Sequence, residues 1–222
     1  DNPNFLLACK AADQLLPIYA HAPQESVIWG FDRIGQHRQQ FLRDALSDLR
    51  QQLEQRESDL LELPAPSGDS MPAIDRVIKA AQHYGIKTIY CEVIHAPEEI
   101  QEIAILRAAG LTVHAQFESS MIALPDLPFV PDAMPDQFTQ FRIKIEKAKN
   151  LFTEPVLAPS RILPLPSNFK RSEGIADARS AVQTEPTGQN NGHPHSSFPH
   201  CSEACGGGTR AAEAHLSQYL ER

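Results

Sequence analysis

Hydrophobic and polar positions change periodicity in regular blocks along the first 150 residues. Short apolar runs predict buried strands at 15–20, 59–63, 86–91 and 111–115. Between them, apolar residues at helical spacing predict helices at 35–56, 72–84 and 96–109, with Gly85 and Gly110 closing the last two. Strands alternating with helices are typical of right-handed crossovers between parallel strands. The pattern predicts a doubly wound, Rossmann-like α/β domain over residues 1–150, with helices on both faces of a parallel sheet.

This periodicity stops after about residue 150. Residues 155–208 contain seven prolines, and six of the chain's 11 glycines lie between 174 and 208. Such a composition does not bury enough apolar surface to offset the entropy of ordering a separate core. We therefore predict an inter-domain linker over 151–208. A helical pattern resumes in 209–222 and predicts the first helix of a further domain.

The chain opens on Asp1-Asn2-Pro3, which indicates a helix start with Asp or Asn as the cap and Pro in the first turn. A chain that begins on a helix cap is expected to have residues upstream of that helix. We predict that a segment precedes Asp1 in the protein.

The charge balance narrows the function classes. Twenty Lys and Arg against 28 Asp and Glu give a formal charge of −8, which lacks the general basic character of a nucleic-acid binder. No apolar run approaches the roughly 20 residues that cross a bilayer, and no signal peptide is visible. Four scattered cysteines do not suit a secreted disulfide scaffold, so a cytoplasmic location is the simpler expectation.

Glu92, with Cys91 beside it, follows the predicted strand 86–91. Ligands of open parallel sheets bind outside the carboxyl ends of the strands, where a carboxylate can accept hydrogen bonds from a small molecule. The competing interpretation, which position alone favours, is a polar residue that simply leaves a strand.

Two other clusters carry weaker signals. His193, His195, His200, Cys201 and Cys205 are zinc-ligand types, but their spacing forms no CxxC pair, and we predict no metal site there. Segment 138–147 predicts a helix with Phe138, Phe141 and Ile145 on one stripe. Aromatic and basic residues together can bind nucleic acid, yet the acidic surroundings favour packing.

Several motifs resemble those of the photolyase/cryptochrome family. Asp1-Asn2-Pro3 resembles the DNP triplet at the end of the family's LRxxDNP-type motif. The segment 38–60 is similar to RxxFLxxSLxDLxxxLxxxGSxL, with Glu57 where the family has glycine. Residues 135–142 resemble the FTxFR segment of DASH-type cryptochromes. Ser197-Phe198-Pro199 and Gly207-Gly208-Thr209 resemble the FxGGE-type entry into the flavin domain, with threonine in place of the glutamate.

The resemblance implies a fold and a separate role for each of two domains. It implies a five-stranded parallel sheet whose central first strand would precede Asp1, in a domain that holds an antenna cofactor, either a folate (methenyltetrahydrofolate) or a deazaflavin. Glu92 matches the glutamate that contacts the folate in folate-binding members, and Cys91 occupies the neighbouring contact position. FAD and damaged DNA would be bound through a separate helical domain after residue 208, and this chain alone would be an inactive part of a monomeric DNA photolyase.

Two alternatives remain at this level. The family also contains blue-light photoreceptors that signal, and the residues that separate them from repair enzymes lie in the flavin domain. A stand-alone nucleotide-binding module of the universal-stress type has a similar sheet, but it would need a glycine-rich phosphate loop after a strand. The only glycine cluster, 206–208, lies in the predicted linker with no strand before it.

Overall fold

The computed structural model describes residues 2–23, 34–65, 71–118, 120–148, 154–170 and 206–221. Within these residues the helices and strands follow one another in the predicted order. They are α1 (Pro3–Ala11), β1 (Ile18–Ala20), α2 (Gln36–Glu54), β2 (Leu61–Leu63), α3 (Ala73–Tyr84), β3 (Thr88–Glu92), α4 (Pro97–Ala108), β4 (Thr112–Gln116), α5 (Phe138–Lys147) and α6 (Thr209–Leu220).

The chain divides into two compact units. The first comprises residues 1–12 and 86–160, and the second comprises residues 13–85 and 161–222. The first unit therefore contains α1, β3, α4, β4 and α5, whereas the second contains β1, α2, β2, α3 and α6.

In the first unit, β3 and β4 pair in parallel, from Thr88 opposite Thr112 to Glu92 opposite Gln116. Helix α1 packs against both strands and α4 packs against β4. Ala8 of α1 and Leu106 of α4 are buried at these contacts. Asn2 begins α1, and its side-chain oxygen accepts a hydrogen bond from the Phe5 N–H at 2.8 Å. The opening triplet predicts either Asp1 or Asn2 as the cap, and in the structure the cap is Asn2.

In the second unit, β1 and β2 pair in parallel, with Ile18 opposite Leu61 and Ala20 opposite Leu63. Helix α3 packs on both strands and ends at Gly85, whose φ of 68° places it in the left-handed region. The buried apolar residues of this unit come from its helices, from β2 and the residue before it, and from the segment after 160: Leu46, Leu53, Leu60, Leu61, Ile74, Ala80, Ala81 and Ile162.

Both strands of the second unit are shorter than predicted, and local chemistry explains each limit. Pro17 has no N–H, so the ladder begins after it, where the Pro17 carbonyl accepts from the Leu61 N–H at 2.9 Å. On the other strand, the Asp59 carboxylate accepts from the Leu60 N–H at 2.7 Å and replaces a strand partner.

The parallel arrangement is confirmed within each pair. The described strands form two two-stranded sheets rather than one sheet of five. The five-stranded sheet and its central first strand therefore stay predictions.

Part of the predicted linker packs on the second unit. The Leu15 N–H donates to the Pro164 carbonyl at 3.0 Å, and Asn168 Nδ2 donates to the His83 carbonyl at 3.1 Å. The rings of Tyr84 and Phe169 lie 5.9 Å apart between centroids. These contacts order residues 162–169 without giving them a core of their own.

The stripe on α5 is only partly packed. The Phe141 ring meets Phe129 edge to face at 5.7 Å, whereas Phe138 is 74% exposed. Phe141 therefore packs as predicted, whereas Phe138 stacks on the Phe141 ring at 6.4 Å between centroids and leaves most of its surface exposed. None of the helices that the structure describes is both long and apolar enough to traverse a bilayer.

Candidate functional site

Glu92 is the last residue of β3, at the carboxyl end of the β3–β4 pair. One of its carboxylate oxygens, Oε1, accepts a hydrogen bond from the backbone N–H of Glu118 at 3.2 Å. Glu118 lies two residues beyond the end of β4, so the chain that leaves the second strand fixes the carboxylate that ends the first. The structure thus places Glu92 where the sequence predicts a ligand-binding carboxylate.

Glu118 is itself held by the start of α1. Its Oε2 accepts from the Asn4 N–H at 3.2 Å, and Asn4 Nδ2 donates to the Gln116 carbonyl at 3.3 Å. Asn4 is 5% exposed, and its Oδ1 has no hydrogen-bond partner among the described residues. Three oxygen-bearing side chains therefore converge at this strand end.

Cys91 lies on a different face of the strand from Glu92. Successive strand residues point to opposite sides of a sheet. Burial raises the pKa of the Cys91 thiol, and the Arg107 guanidinium of α4 opposes that rise. A protonated, half-buried thiol is a weak nucleophile. The structure therefore does not bring the Cys91 and Glu92 side chains together on one face.

A cluster of charged side chains in the second unit was not predicted from the sequence. Arg50 of α2 donates to Glu62 Oε1 at 2.6 Å and to Asp59 Oδ1 at 3.2 Å. The Asp59 side chain is 1% exposed and that of Arg50 14%. His21 Nε2 lies 3.0 Å from the other oxygen of Glu62.

The hydrogen bonds of this cluster favour the charged form of Glu62. Burial acts to raise the pKa of Glu62, but hydrogen bonds from His21 and Arg50 outweigh it and hold the pKa below its usual value. Burial raises the pKa of Tyr19, whose ring meets His21 edge to face at 4.9 Å; Arg38 opposes that rise and Glu62 adds to it. The Arg50 guanidinium, bound by Asp59 and Glu62, fastens α2 to β2 and to the residues before it, which is a structural role.

A second carboxylate of α2, Asp48, binds the N-terminus of α6. Its Oδ2 accepts from the Thr209 N–H at 2.8 Å, and its Oδ1 accepts from Arg210 Nε at 2.5 Å. Burial acts to raise the pKa of Asp48, but hydrogen bonds from Arg210, Thr209 and Gln52 hold it below its usual value. Helix α6 begins after Gly208, which has no side chain to cap it, so Asp48 supplies that cap.

The sequence carried a partial signal for these residues. Arg50, Asp59 and Glu62 stand among residues predicted to be buried, and charges at such positions are retained when they pair. Nothing in the local pattern indicated Asn4 or Glu118, whereas Asp48 stands at the aspartate of the motif that segment 38–60 resembles. The run from His193 to Cys205 lies outside the described residues, and within the described ranges no group of three His, Cys, Asp or Glu residues is arranged to hold a metal ion.

Comparisons with known proteins agree with this architecture. A family model described as DNA photolyase matches residues 1–160. A cryptochrome DASH from Xenopus laevis is 27% identical over 99% of this chain and 40% of its own length. One from Gloeobacter violaceus is 29% identical over 69% of this chain and 31% of its own length. The crystal structure of a Synechocystis cryptochrome superposes with a TM-score of 0.64 at 26% identity, covering 75% of this chain and 34% of that one.

These matches confirm the resemblance carried by the sequence motifs. The chain spans less than half the length of the relatives it matches. The matched part includes α1, both parallel strand pairs and Glu92. The chain belongs to the DNA photolyase family.

Proposed function

We propose that this chain is the N-terminal light-harvesting domain of a DNA photolyase or cryptochrome, and that Glu92 binds the antenna cofactor. The observation that carries the proposal is the Glu92 carboxylate at the carboxyl end of β3, held at 3.2 Å by the Glu118 N–H. A carboxylate fixed there accepts N–H groups of a heterocycle. Methenyltetrahydrofolate and a deazaflavin are the two antenna cofactors that the family resemblance implies.

The rest of the proposal concerns the whole protein. A helical domain following α6 would bind FAD, and blue-light-excited FAD would repair pyrimidine dimers in DNA. The exposed apolar side chains of α6, namely Leu216, Tyr219 and Leu220, support a further partner for this helix. On this proposal the 222 residues alone have no repair activity, because the electron donor sits in the other domain.

The alternative is a blue-light photoreceptor that signals. The relatives carry the name cryptochrome, which supports it. Light-dependent loss of pyrimidine dimers from DNA, measured with the complete protein, separates the two. The nucleotide-binding module of the universal-stress type has no support beyond its similar sheet, because the family match covers residues 1–160.

The Glu92 assignment is tested by the substitution Glu92→Gln in the complete protein. Removing the charge weakens the hydrogen bonds that Glu92 accepts, and a charge-assisted bond is worth about 1.5–3 kcal/mol, or roughly ten- to a hundredfold in affinity. We expect folate occupancy, measured by absorbance in the folate band, to fall while FAD content stays unchanged.

The matched control is Glu146→Gln, which removes one negative charge from the exposed face of α5 in the same unit. It should leave folate occupancy unchanged. Equal occupancy in wild type and Glu92→Gln would show that Glu92 is only a strand-end carboxylate.

A further inference from the structure

Helix α6 is attached to the second unit at its first turn and projects from there. Gly207, just before the helix, is buried and Ala211 is half-buried, whereas every residue from 212 to 221 is exposed. An α-helix rises about 1.5 Å per residue, so the 12 residues of α6 extend over about 18 Å. The described attachment therefore lies at one end of a long, exposed helix.

Asp48 of α2 accepts the hydrogen bonds that make this attachment. Its Oδ2 accepts from the backbone N–H groups of Thr209 at 2.8 Å and Arg210 at 3.4 Å, and its Oδ1 accepts from Arg210 Nε at 2.5 Å. Gln52 donates to the same carboxylate at 2.9 Å, and the Arg210 guanidinium also donates to the Gln51 side chain. Hydrogen bonds to an ionised carboxylate are stronger than those to a neutral acceptor. Asp48 thus binds both the backbone and a side chain of the first turn.

The approach of the chain to α2 is fixed at a second place. A Cβ at Gly207 would overlap the Phe41 carbonyl, so the backbone of Gly207 lies directly on α2 at that residue. Phe41 and Asp48 are separated by about two turns of the same helix. Contacts at two places along one helix determine a direction as well as a position. The chain that enters α6 therefore has a defined direction relative to α2.

We propose that Asp48 is a positioning residue, which fixes the direction in which α6 leaves the second unit and thereby the placement of the domain that follows α6. The proposal rests on the further domain that the proposed function places after this helix. When the far part of α6 packs in that domain, a change of direction at the first turn moves the whole domain. A tilt of about 20° there displaces the far end of α6 by roughly 6 Å.

The competing role for Asp48 is that of a helix cap alone, which stabilises the first turn of α6 and leaves its direction to other contacts. The two roles are separated by measuring a distance in the complete protein. Spin labels are placed at Lys79 of α3 and Gln218 of α6, which are both exposed, by a chemistry that spares the chain's four cysteines. Pulsed electron paramagnetic resonance then gives the distribution of distances between the labels. Because α3 and α2 belong to the same unit, this distance reports the direction of α6.

Three variants change the attachment by different routes. Asp48→Ala removes every bond that the carboxylate accepts, and we expect the distance distribution to shift or broaden by about 5 Å. Asp48→Asn keeps an acceptor for the Thr209 N–H and loses the charge that binds Arg210, so its change should be smaller. Gly208→Ala leaves Asp48 in place, but its new Cβ would lie 2.6 Å from the Asp48 Cβ. It should therefore change the distribution as much as Asp48→Ala does.

Asp44→Asn is the matched control, because it removes one charge from α2 at a carboxylate that accepts from Gln40 at 2.7 Å. It should keep the wild-type distribution. Circular dichroism establishes that each variant is folded, and if Asp48→Ala does not fold, Asp48→Asn and Gly208→Ala decide. A wild-type distribution in the folded variants of Asp48 and Gly208 would show that Asp48 is a cap alone and would overturn the proposal.

The positioning role and the proposed function fail in different ways. If the complete protein binds no FAD while Asp48→Ala changes the label distance, the proposed function is wrong and the role of Asp48 in directing α6 stands. If the complete protein binds FAD while Asp48→Ala and Gly208→Ala keep the wild-type distance, the positioning role is wrong and the proposed function stands.

Discussion

Glu57 departs from the family motif, and its backbone has a conformation that is unfavourable for a residue with a side chain. It adopts φ 62°, a left-handed conformation that side chains with a Cβ disfavour. The resembling motif has glycine at this position, immediately before Ser58. The conformation is kept because the chain must turn sharply between the end of α2 and the buried Ser58-Asp59-Leu60.

The first residue-scale prediction is that Glu57→Gly stabilises the protein. Glycine adopts this conformation without a clash, whereas the strain of a non-glycine residue costs about 1–3 kcal/mol; the greater freedom of glycine in the unfolded chain cancels part of the gain. We expect a net gain of about 1 kcal/mol, measured as a higher urea midpoint. Glu57→Ala is the matched control, since it loses the same carboxylate but keeps Cβ. Equal midpoints for the two variants would contradict the strain argument.

At the scale of single residues, the sequence predicted two kinds of feature: contacts between near neighbours, and residues at the end of a strand or helix. The cap at Asn2 and the helix end at Gly85 follow from neighbours a few residues away. Glu92 could be named as a candidate site residue because it directly follows a predicted strand. Asn4 and Glu118 are 114 residues apart, and no local pattern shows which distant side chain will meet a helix terminus. Two of the three side chains that converge at the end of β3, those of Asn4 and Glu118, were therefore outside the reach of sequence analysis.

The attachment of α6 to α2 depends on two glycines as well as on Asp48. A Cβ at Gly207 would overlap the Phe41 carbonyl of α2, and a Cβ at Gly208 would lie 2.6 Å from the Asp48 Cβ. Gly208 also has φ 102°, which side chains rarely adopt. The GGT segment thus lets the chain approach α2 closely enough for Thr209 and Arg210 to bind Asp48.

This contact should depend on pH, and Asp48→Asn tests it. Because the pKa of Asp48 is lowered in the folded state, its stabilising effect is present above the unfolded pKa of about 3.9 and is lost as pH falls through the lower folded pKa. We expect the wild type to protect the Thr209 and Arg210 amides from hydrogen exchange more than Asp48→Asn at pH 6, by about 2 kcal/mol, and the difference to shrink as the pH falls below the unfolded pKa of about 3.9.

The control for this experiment is Asp44→Asn on the same helix, where the carboxylate binds only its neighbour Gln40 at 2.7 Å among the contacts described. It should leave exchange at Thr209 and Arg210 unchanged. If Asp48→Asn loses as much protection on acidification as the wild type does, a group other than Asp48 causes the acid dependence.

Element order was predictable because periodicity is a property of each segment alone. Each described strand lies within three residues of its predicted range: Pro17 and Asp59 explain the later starts of β1 and β2, and β3 and β4 differ from their predicted ends by one or two residues. Which strands pair is a property of the whole chain, and the parallel pairs β1–β2 and β3–β4 followed from the crossover rule. The number of strands in a sheet does not follow from the periodicity of single segments.

Contacts of the segment after residue 160 lead to a prediction about where the chain is cut by protease. Proteases need a stretch of chain that can leave its contacts, so packed segments resist and segments rich in Pro, Gly and polar residues are cut first. Ile162 is 5% exposed, and Leu15, His83 and Tyr84 all contact residues between 164 and 169. Sequence composition predicts a linker over 151–208, and these contacts protect residues 162–169 within it. We therefore expect limited trypsin digestion, read by mass spectrometry, to cleave after Arg171 and Arg179 before it cleaves after Arg43 of α2 or Lys79 of α3.

Because all four sites end in a basic residue that trypsin accepts, the order in which they are cleaved reports how accessible each site is. Cleavage at Arg43 or Lys79 as early as at Arg179 would show that the boundary between domain and linker lies elsewhere.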